Sequence, residues 1–424
     1  MNGRSAAARP AIRKGMTMAI TTATPRPAAP AGTAAALRVR PLPAADHLAF
    51  LRGRRALTDA GHGGQVSFLQ TPAWARVKDG WTAESLGWFD ELERLVGAAL
   101  VLHREAPGVR RTFAYLPEGP VIDWSSPRLA GWLEPLLAHL ETGGAFAVRM
   151  GPPLAYRRWS ARTLKDATGP GRSVHEVLPD RVEPVGAVVA DRLRAAGWSR
   201  CDPEPGGGGG GGDAQPRLVF EIPLAGRDLD QVWSGLNQEW RRNIKKAARA
   251  GVVTEVSGPW DLPAFHRLLG ITERRDGFRL GRSLEYYERQ YAVLNEEQPE
   301  GGMRLYTARY HGEVLAAHTL LRSADGARLW YQSGASADHL RHVRPSNALQ
   351  WQMIRDAHLL GASAYDMRGI PATLDPDVRA FGLLRWKLGT GGEAVEMLGE
   401  WERPLPGAVN RSLHKAMRGY LARR

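Results

Sequence analysis

A single cysteine, Cys201, occurs in 424 residues. That leaves no partner for an intramolecular disulfide, excludes a thiolate zinc cluster and fits a reducing compartment. No apolar run approaches the ~20 residues that a membrane-spanning helix requires. The first 36 residues carry basic side chains but no apolar core of roughly 7–15 residues, so they do not read as a signal peptide. Their Ala/Pro/Arg composition cannot bury enough surface to order itself, and 1–36 reads as a disordered basic tail. Catalytic signatures are equally scarce. There is no G-x-S-x-G elbow, no H-E-x-x-H helix and no G-x-x-x-x-G-K-[ST] loop. The histidines are scattered, and His339 and His342 read as surface residues, not a metal site.

Charge is present but unevenly placed. The formal net charge is +13. Residues 1–60 hold ten Arg/Lys against two Asp, and 403–424 hold six against none, leaving a body close to neutral. A uniformly basic nucleic-acid coat is excluded; basic ends and local patches remain. The C-terminal "RSLHKAMRGYLARR" predicts an amphipathic helix suited to an anionic lipid surface.

Seven consecutive glycines in "DPEPGGGGGGGDAQPR" cannot hold one conformation cheaply, so 201–215 reads as a linker or long loop. It divides the folded part in two. In the second half "RLVFEIPL" alternates as a strand, and "FHRLLGITERRD" predicts a helix. "MRLYTARYHGEVLAAHTLLRSADGARLWYQSGAS" predicts a three-stranded meander with turns at "HGE" and "ADG". "RPSNALQWQMIRDAHLLGA" predicts a helix with Ser346 or Asn347 as its cap. The first half repeats the pattern: strand-like "LGWFDELERLVGAALVLHRE" and "RRTFAYLPEGPVID", then a helix in "PRLAGWLEPLLAHLETGG" and a buried strand in "AFAVRM". A meander, helix and strand met twice argue for two similar α+β domains, 37–200 (completed by 399–424) and 216–398.

"EWRRNIKKAARAGV" (239–252) predicts a helix ended by Gly251. Arg242, Lys245, Lys246 and Arg249 fall at i, i+3, i+4 and i+7 and share one face, while Trp240, Ile244, Ala247 and Ala248 are placed to pack inward. Like charges at this spacing repel, so either an anionic partner or plain solvation is compatible with the stretch. The meander, helix and strand of 303–367 suit an acyl-CoA N-acyltransferase (GNAT) domain. Where such a fold cradles a pyrophosphate with a Gly-rich turn, this chain has "HLRHVRPSNALQW", with no glycine between 335 and 360.

Five blocks in order carry a resemblance: "SFLQTPAWARVKDGW", "YLPEGPVID", "WRRNIKKAARAGVVTEVS", "AYDMRGI" and "GLLRWKLGTGGEAVEMLGEWERPL". Together, over about 66–405, they resemble the Fem family (FemABX) of tRNA-dependent peptidoglycan bridge aminoacyltransferases, in the armless FemX type without a coiled-coil arm. The first two look like the family's Q-x-x-x-W-x-x-x-K and Y-x-x-x-G-P-x-x-D blocks. The resemblance implies two GNAT-like domains and transfer of an amino acid from aminoacyl-tRNA to the stem-peptide amine of a UDP-MurNAc-pentapeptide or lipid-linked precursor, with no CoA or metal as cofactor. It implies a cytoplasmic protein at the inner membrane face. It assigns Lys78, Arg282, Tyr286 and Tyr331 to substrate binding, with Lys78 and Arg282 on the precursor's diphosphate. It assigns Lys387 to the charge developing on the tRNA ester, and Arg241, Arg242, Lys245, Lys246 and Arg249 to the tRNA. Ester aminolysis needs positioning and oxyanion stabilisation more than a covalent nucleophile, which suits the missing triad. Replacing Lys78 or Lys387 with alanine is then expected to stop transfer without unfolding the chain. The sequence departs from the family's pattern at Trp386 (often Phe), at "TGG" (often F-G-G) and at Gly151 (acidic in some members). Rival readings are a CoA-dependent N-acyltransferase on the same fold and a non-catalytic RNA-binding protein using 239–252.

Overall fold

The computed structural model describes residues 37–56, 64–201 and 214–421. The tail 1–36 and the glycine run itself lie outside the described residues. Two sheets organise the rest. The first has seven strands in the order β1-β2-β3-β4-β5-β16-β8. They are β1 Arg38–Pro41, β2 Thr82–Phe89, β3 Leu95–Glu105, β4 Thr112–Leu116, β5 Ala145–Met150, β8 Ser199–Arg200 and β16 Trp401–Pro404. The second has nine in the order β10-β11-β12-β13-β14-β9-β15-β6-β7. They are β6 Ala155–Ser160, β7 Arg181–Val182, β9 Leu218–Pro223, β10 Val253–Ser257, β11 Met303–Tyr310, β12 Glu313–Arg322, β13 Arg328–Ser336, β14 Ala364–Gly369 and β15 Glu393–Met397. The helices are α1 Ala44–Arg52, α2 Pro72–Val77, α3 Leu129–Thr142, α4 Ala161–Asp166, α5 Pro184–Ala195, α6 Leu229–Gly235, α7 Gln238–Ala250, α8 Leu262–Asp276, α9 Leu284–Glu297, α10 Pro345–Leu359, α11 Phe381–Leu388 and α12 Ala408–Leu421.

Each sheet carries the expected meander followed by a helix and a parallel strand: β2-β3-β4, α3 and β5 in the first, β11-β12-β13, α10 and β14 in the second. Sheet membership does not follow a boundary at residue 200, however. β6 and β7 leave the first half and extend the second sheet beyond β15, whereas β16 returns from the C-terminal side between β5 and β8. The two halves also share a core. β3 is apolar on both faces because Ala99 and Val101 pack with Leu86, Trp88 and the α3 leucines. Leu100 and Leu102 point the other way, into a cluster with Phe68, Trp74, Phe265, Leu305 and Trp330. Burying each large apolar side chain there is worth about 1.5–3 kcal/mol, so this cluster ties the halves into one unit.

Local chemistry explains the elements around the site. α7 starts at Asn237, whose side chain accepts the Trp240 N–H, and ends at Gly251 in the left-handed conformation that a side chain would disfavour. Its inward face is Trp240, Asn243, Ile244 and Ala247; Ala248, expected inside, is exposed. α10 begins at Pro345 with Arg344 as its N-cap residue and no side-chain cap, so Ser346 and Asn347 lie inside the first turn instead. Proline at the first helical position supplies the fixed φ that makes this start possible. No coiled-coil arm interrupts 260–300: α8 packs on β12 and β13 and α9 on α2.

Candidate functional site

The Q-x-x-x-W-x-x-x-K block divides its labour. Gln70 is fully buried and ties the middle of β3 to the end of β4: its Nε2 donates to the carbonyls of Pro117 (2.8 Å) and Leu100 (3.3 Å), and its Oε1 accepts from Leu100 N at 3.0 Å. Trp74 is core, packed edge-on against Phe68 at 5.2 Å. Lys78, the residue after α2, is half-buried. Arg282, 204 positions later, precedes the Ser283 cap of α9, and α9 packs beside α2. The expected pair is therefore brought to one place.

Lys78, Arg282 and Arg104 form a cationic group. Burial lowers the Lys78 pKa from its ordinary 10.5, and the charges of Arg282 and then Arg104 push it the same way, against Asp79. Asp79 itself is bound by Arg289. Among the described residues none of the three cations makes an ion pair with a carboxylate. The Arg282 guanidinium lies over the Tyr286 ring, 4.3 Å from its centroid, and Arg104 reaches over Trp81 at 5.7 Å. Burial raises the Tyr286 hydroxyl pKa, with Arg282 opposing. Arg104 was not legible in the sequence, because only the tertiary placement of β3 beside α2 brings it in.

Lys387 sits elsewhere, at a fork. β13 and β14 run parallel from Arg328↔Ala364 to Trp330↔Asp366 and then separate. Arg368, at φ 60°, breaks the β14–β9 register at that point. The buried Lys387 ammonium fills the gap, donating to the carbonyls of Met367 (2.7 Å), Arg368 (3.2 Å) and Gly369 (2.7 Å). Burial drives its pKa down to about 7, while the nearby Asp366 carboxylate opposes that shift. Three carbonyl acceptors also favour the ammonium, since a neutral amine has only two protons to donate. In this arrangement every donor of Lys387 is engaged by the backbone. Its neighbour Trp386 holds α7 in place by accepting the Trp240 Nε1–H on its carbonyl at 2.9 Å.

Tyr331 is the next residue on β13 after the fork, half-buried, with its ring 5.0 Å from His318. It joins a polar array that sequence reasoning missed. His318 pairs with Gln350 at 3.2 Å, and Gln350 accepts from the Tyr365 hydroxyl at 2.7 Å. Burial lowers the His318 pKa to about 3, so its imidazole is neutral. The array lies on β12, β13, α10 and β14, a combination no linear motif reports. Burial pushes the Tyr287 hydroxyl up to about 12, while Ser333 of β13 and Arg282 oppose the shift. A cavity of about 40 Å³ reaches the fork from the first-half side, lined by Glu118, Trp330, Asp366, Arg368 and Glu400. Tyr115 of the Y-x-x-x-G-P-x-x-D block donates to Glu400 there at 2.5 Å.

The five cations assigned to tRNA lie together on α7. Arg242, Lys245, Lys246 and Arg249 are exposed, and Arg241 is half-buried against the Ser234 carbonyl at 3.3 Å. Lys245 stands 6.0 Å from the Trp233 ring, which packs on Trp351 at 4.9 Å. A single 3₁₀ turn, Arg341–Val343, adjoins α7 and presents Arg341 and His342 to solvent. The α10 start is thus flanked by arginines where a pyrophosphate-binding turn would carry glycines.

Comparison with known proteins agrees with this architecture. Residues 61–298 match the FemAB family, and residues 235–387 match the acetyltransferase (GNAT) domain. The lipid II:glycine glycyltransferase of Staphylococcus saprophyticus is 23% identical over 400 residues, covering 80% of this chain and 88% of that one. That of Staphylococcus aureus is 22% identical, covering 79% and 87%. The crystal structure of FemX superposes with a TM-score of 0.71 at 20% identity, covering 90% of this chain and all of that one. The family match spans more than half of the chain, and the protein belongs to the FemAB family.

Proposed function

We propose that this acyltransferase moves an amino acid from aminoacyl-tRNA to the stem-peptide amine of a peptidoglycan precursor, in the formation of an interpeptide bridge. What supports the reading is the meeting of Lys78 and Arg282 with Arg104 in a cationic group that, among the described residues, makes no ion pair with a carboxylate. Such a group suits a diphosphate, the feature shared by UDP-linked and lipid-linked precursors. The relatives named lipid II:glycine glycyltransferase favour the same acceptor class.

In the reaction the acceptor amine attacks the ester carbonyl, a C–N bond forms, the C–O bond to the ribose breaks, and the amine proton leaves with the tRNA hydroxyl. No nucleophilic side chain is needed; holding two substrates in register supplies most of the acceleration. We assign Lys78 and Arg282 to the diphosphate, with Arg104 as a third cation, and Tyr286 to keeping Arg282 in place. The exposed face of α7 is assigned to tRNA phosphates. Lys387 we assign as a positioning residue. Its three hydrogen bonds fix the fork next to Tyr331, and direct charge stabilisation of the ester would require it to give one up. CoA dependence is disfavoured by the lack of any glycine between 335 and 360, where a pyrophosphate-cradling turn would stand at the α10 start.

The test is incubation with mixed charged tRNAs and either a UDP-linked or a lipid-linked precursor, with products read by mass. One aminoacyl addition to the stem peptide is expected. Acylation that requires acetyl-CoA, with no use of aminoacyl-tRNA, would sink the reading.

A further inference from the structure

The loop joining α8 to α9, "GFRLGRS", holds two large apolar side chains in solvent: Phe278 is 43% exposed and Leu280 45%. Isolated exposed apolar residues are ordinary, but these are held out by specific bonds. Glu273 organises the loop: its carbonyl accepts from Gly277 N (2.9 Å) and Phe278 N (3.2 Å), and its carboxylate accepts from Leu280 N at 2.8 Å. The base of the loop is fixed as well, because Arg275 reaches the Ser336 and Ala337 carbonyls at the end of β13. A second segment adjoins it. Arg379 donates to the Arg275 carbonyl, and Val378 and Leu383 beside it are 43% and 49% exposed. Four apolar side chains thus share one rim with the exposed Arg274 and Arg279. Of the nearby acids, Glu273 is engaged by the loop and Asp276 by Arg275, while Asp377 beside Val378 is exposed.

We infer that this rim docks on an anionic bilayer surface, Phe278 and Leu280 entering the headgroup region while the arginines meet lipid phosphates. The argument is one of chemistry and place. Apolar side chains set among unpaired cations complement an anionic interface. Arg282 of the proposed diphosphate site follows Phe278 by four residues, at most roughly 14 Å of chain. A precursor held by its diphosphate would therefore have its lipid leave past this rim into the membrane. The inference rests on the transferase reading and extends it to a lipid-linked acceptor taken at the bilayer surface, with the rim rather than α12 as the contact. On α12, His414 and Arg418 turn inward to Glu402.

Vesicle flotation tests it without tRNA or precursor, so its outcome is independent of the transfer assay. Full-length protein is expected to float with phosphatidylglycerol vesicles and much less with phosphatidylcholine vesicles. The double variant Phe278→Ser with Leu280→Ser should lower the partition coefficient roughly tenfold or more, given the apolar area withdrawn. Its melting temperature should stay at the wild-type value, since both side chains are exposed. Arg411→Glu with Lys415→Glu on α12 should float like wild type. As a gain-of-signal variant, Phe278→Trp should show a blue-shifted emission on adding the anionic vesicles. Wild-type protein that fails to float, a loop variant that floats equally well, or binding lost only through α12 would overturn the proposal. So would a loop variant that loses tRNA binding while keeping vesicle binding, which would assign the rim to nucleic acid.

Discussion

Replacing Lys387 with methionine keeps the buried stem and removes the ammonium. Three carbonyls, those of Met367, Arg368 and Gly369, then lose their donor at a strand end, the first buried and the other two part-buried. An unsatisfied buried acceptor costs about 1–3 kcal/mol, so the loss is of the order of 3–9 kcal/mol before any compensation. The variant is spared the desolvation of a buried cation, itself several kcal/mol. The carbonyl side prevails, because the left-handed Arg368 converges the three acceptors on one point that a thioether cannot satisfy. A net loss of about 2–4 kcal/mol follows, a large share of a domain's stability. Urea unfolding followed by tryptophan fluorescence measures it, and transfer activity should be read well below the unfolding midpoint. Lys387→Arg should not rescue, since the wider guanidinium does not fit a site built around one nitrogen. A stability change below about 1 kcal/mol, with transfer abolished, would refute the positioning role and restore direct contact with the ester.

Other predictions follow from the same geometry. Pyrophosphate should bind wild-type protein and be lost with either Lys78→Ala or Arg282→Ala. Its affinity should fall as pH rises through the lowered Lys78 pKa, earlier than for a free lysine, and Arg104→Ala should move that fall to higher pH; isothermal titration at several pH values checks this. His318 is neutral when folded, with its pKa lowered to about 3, so the unfolded chain binds more protons between pH 3 and 6.5 and stability is lost as pH falls through that window. The wild type should therefore lose about 2 kcal/mol more than His318→Gln between pH 7 and 5, measured by denaturant unfolding. In Gly334→Ala the new Cβ would lie 1.6 Å from the Tyr331 hydroxyl oxygen, so Tyr331 must move; a drop in melting temperature with a raised KM for the precursor is expected.

Much of the fold was legible because periodicity reports local structure. The meanders, α3, α7 and α8 follow from alternation, helical spacing and the Gly251 stop. The α10 start could have been read correctly, since Pro345 was in view and proline favours the first helical position over a hydroxyl cap one residue later. Strand exchange could not. "AYRRWS" looks like any amphipathic strand, and its pairing with β15 depends on residues more than 230 positions away. The same limit hid Arg104 and His318, whose partners are supplied by neighbouring elements.

Motif position is likewise blind to what a side chain's donors touch. Lys78 and Lys387 look interchangeable in sequence, each a lysine that follows a tryptophan within four residues in a family-like block. Folding separates them by opposite means. The frame of Gln70 and Trp74 leaves Lys78 beside two other cations with no carboxylate among the described residues bound to it, a state that improves when an anion arrives. Lys387 is already satisfied by the backbone and has nothing to gain from a ligand until the fork opens. Loss of Lys78 should thus be felt in substrate affinity with stability kept, and loss of Lys387 first in stability. A pair of variants that behaved alike in both measurements would mean that the carbonyl cage, the clearest difference between the two lysines, has no energetic weight.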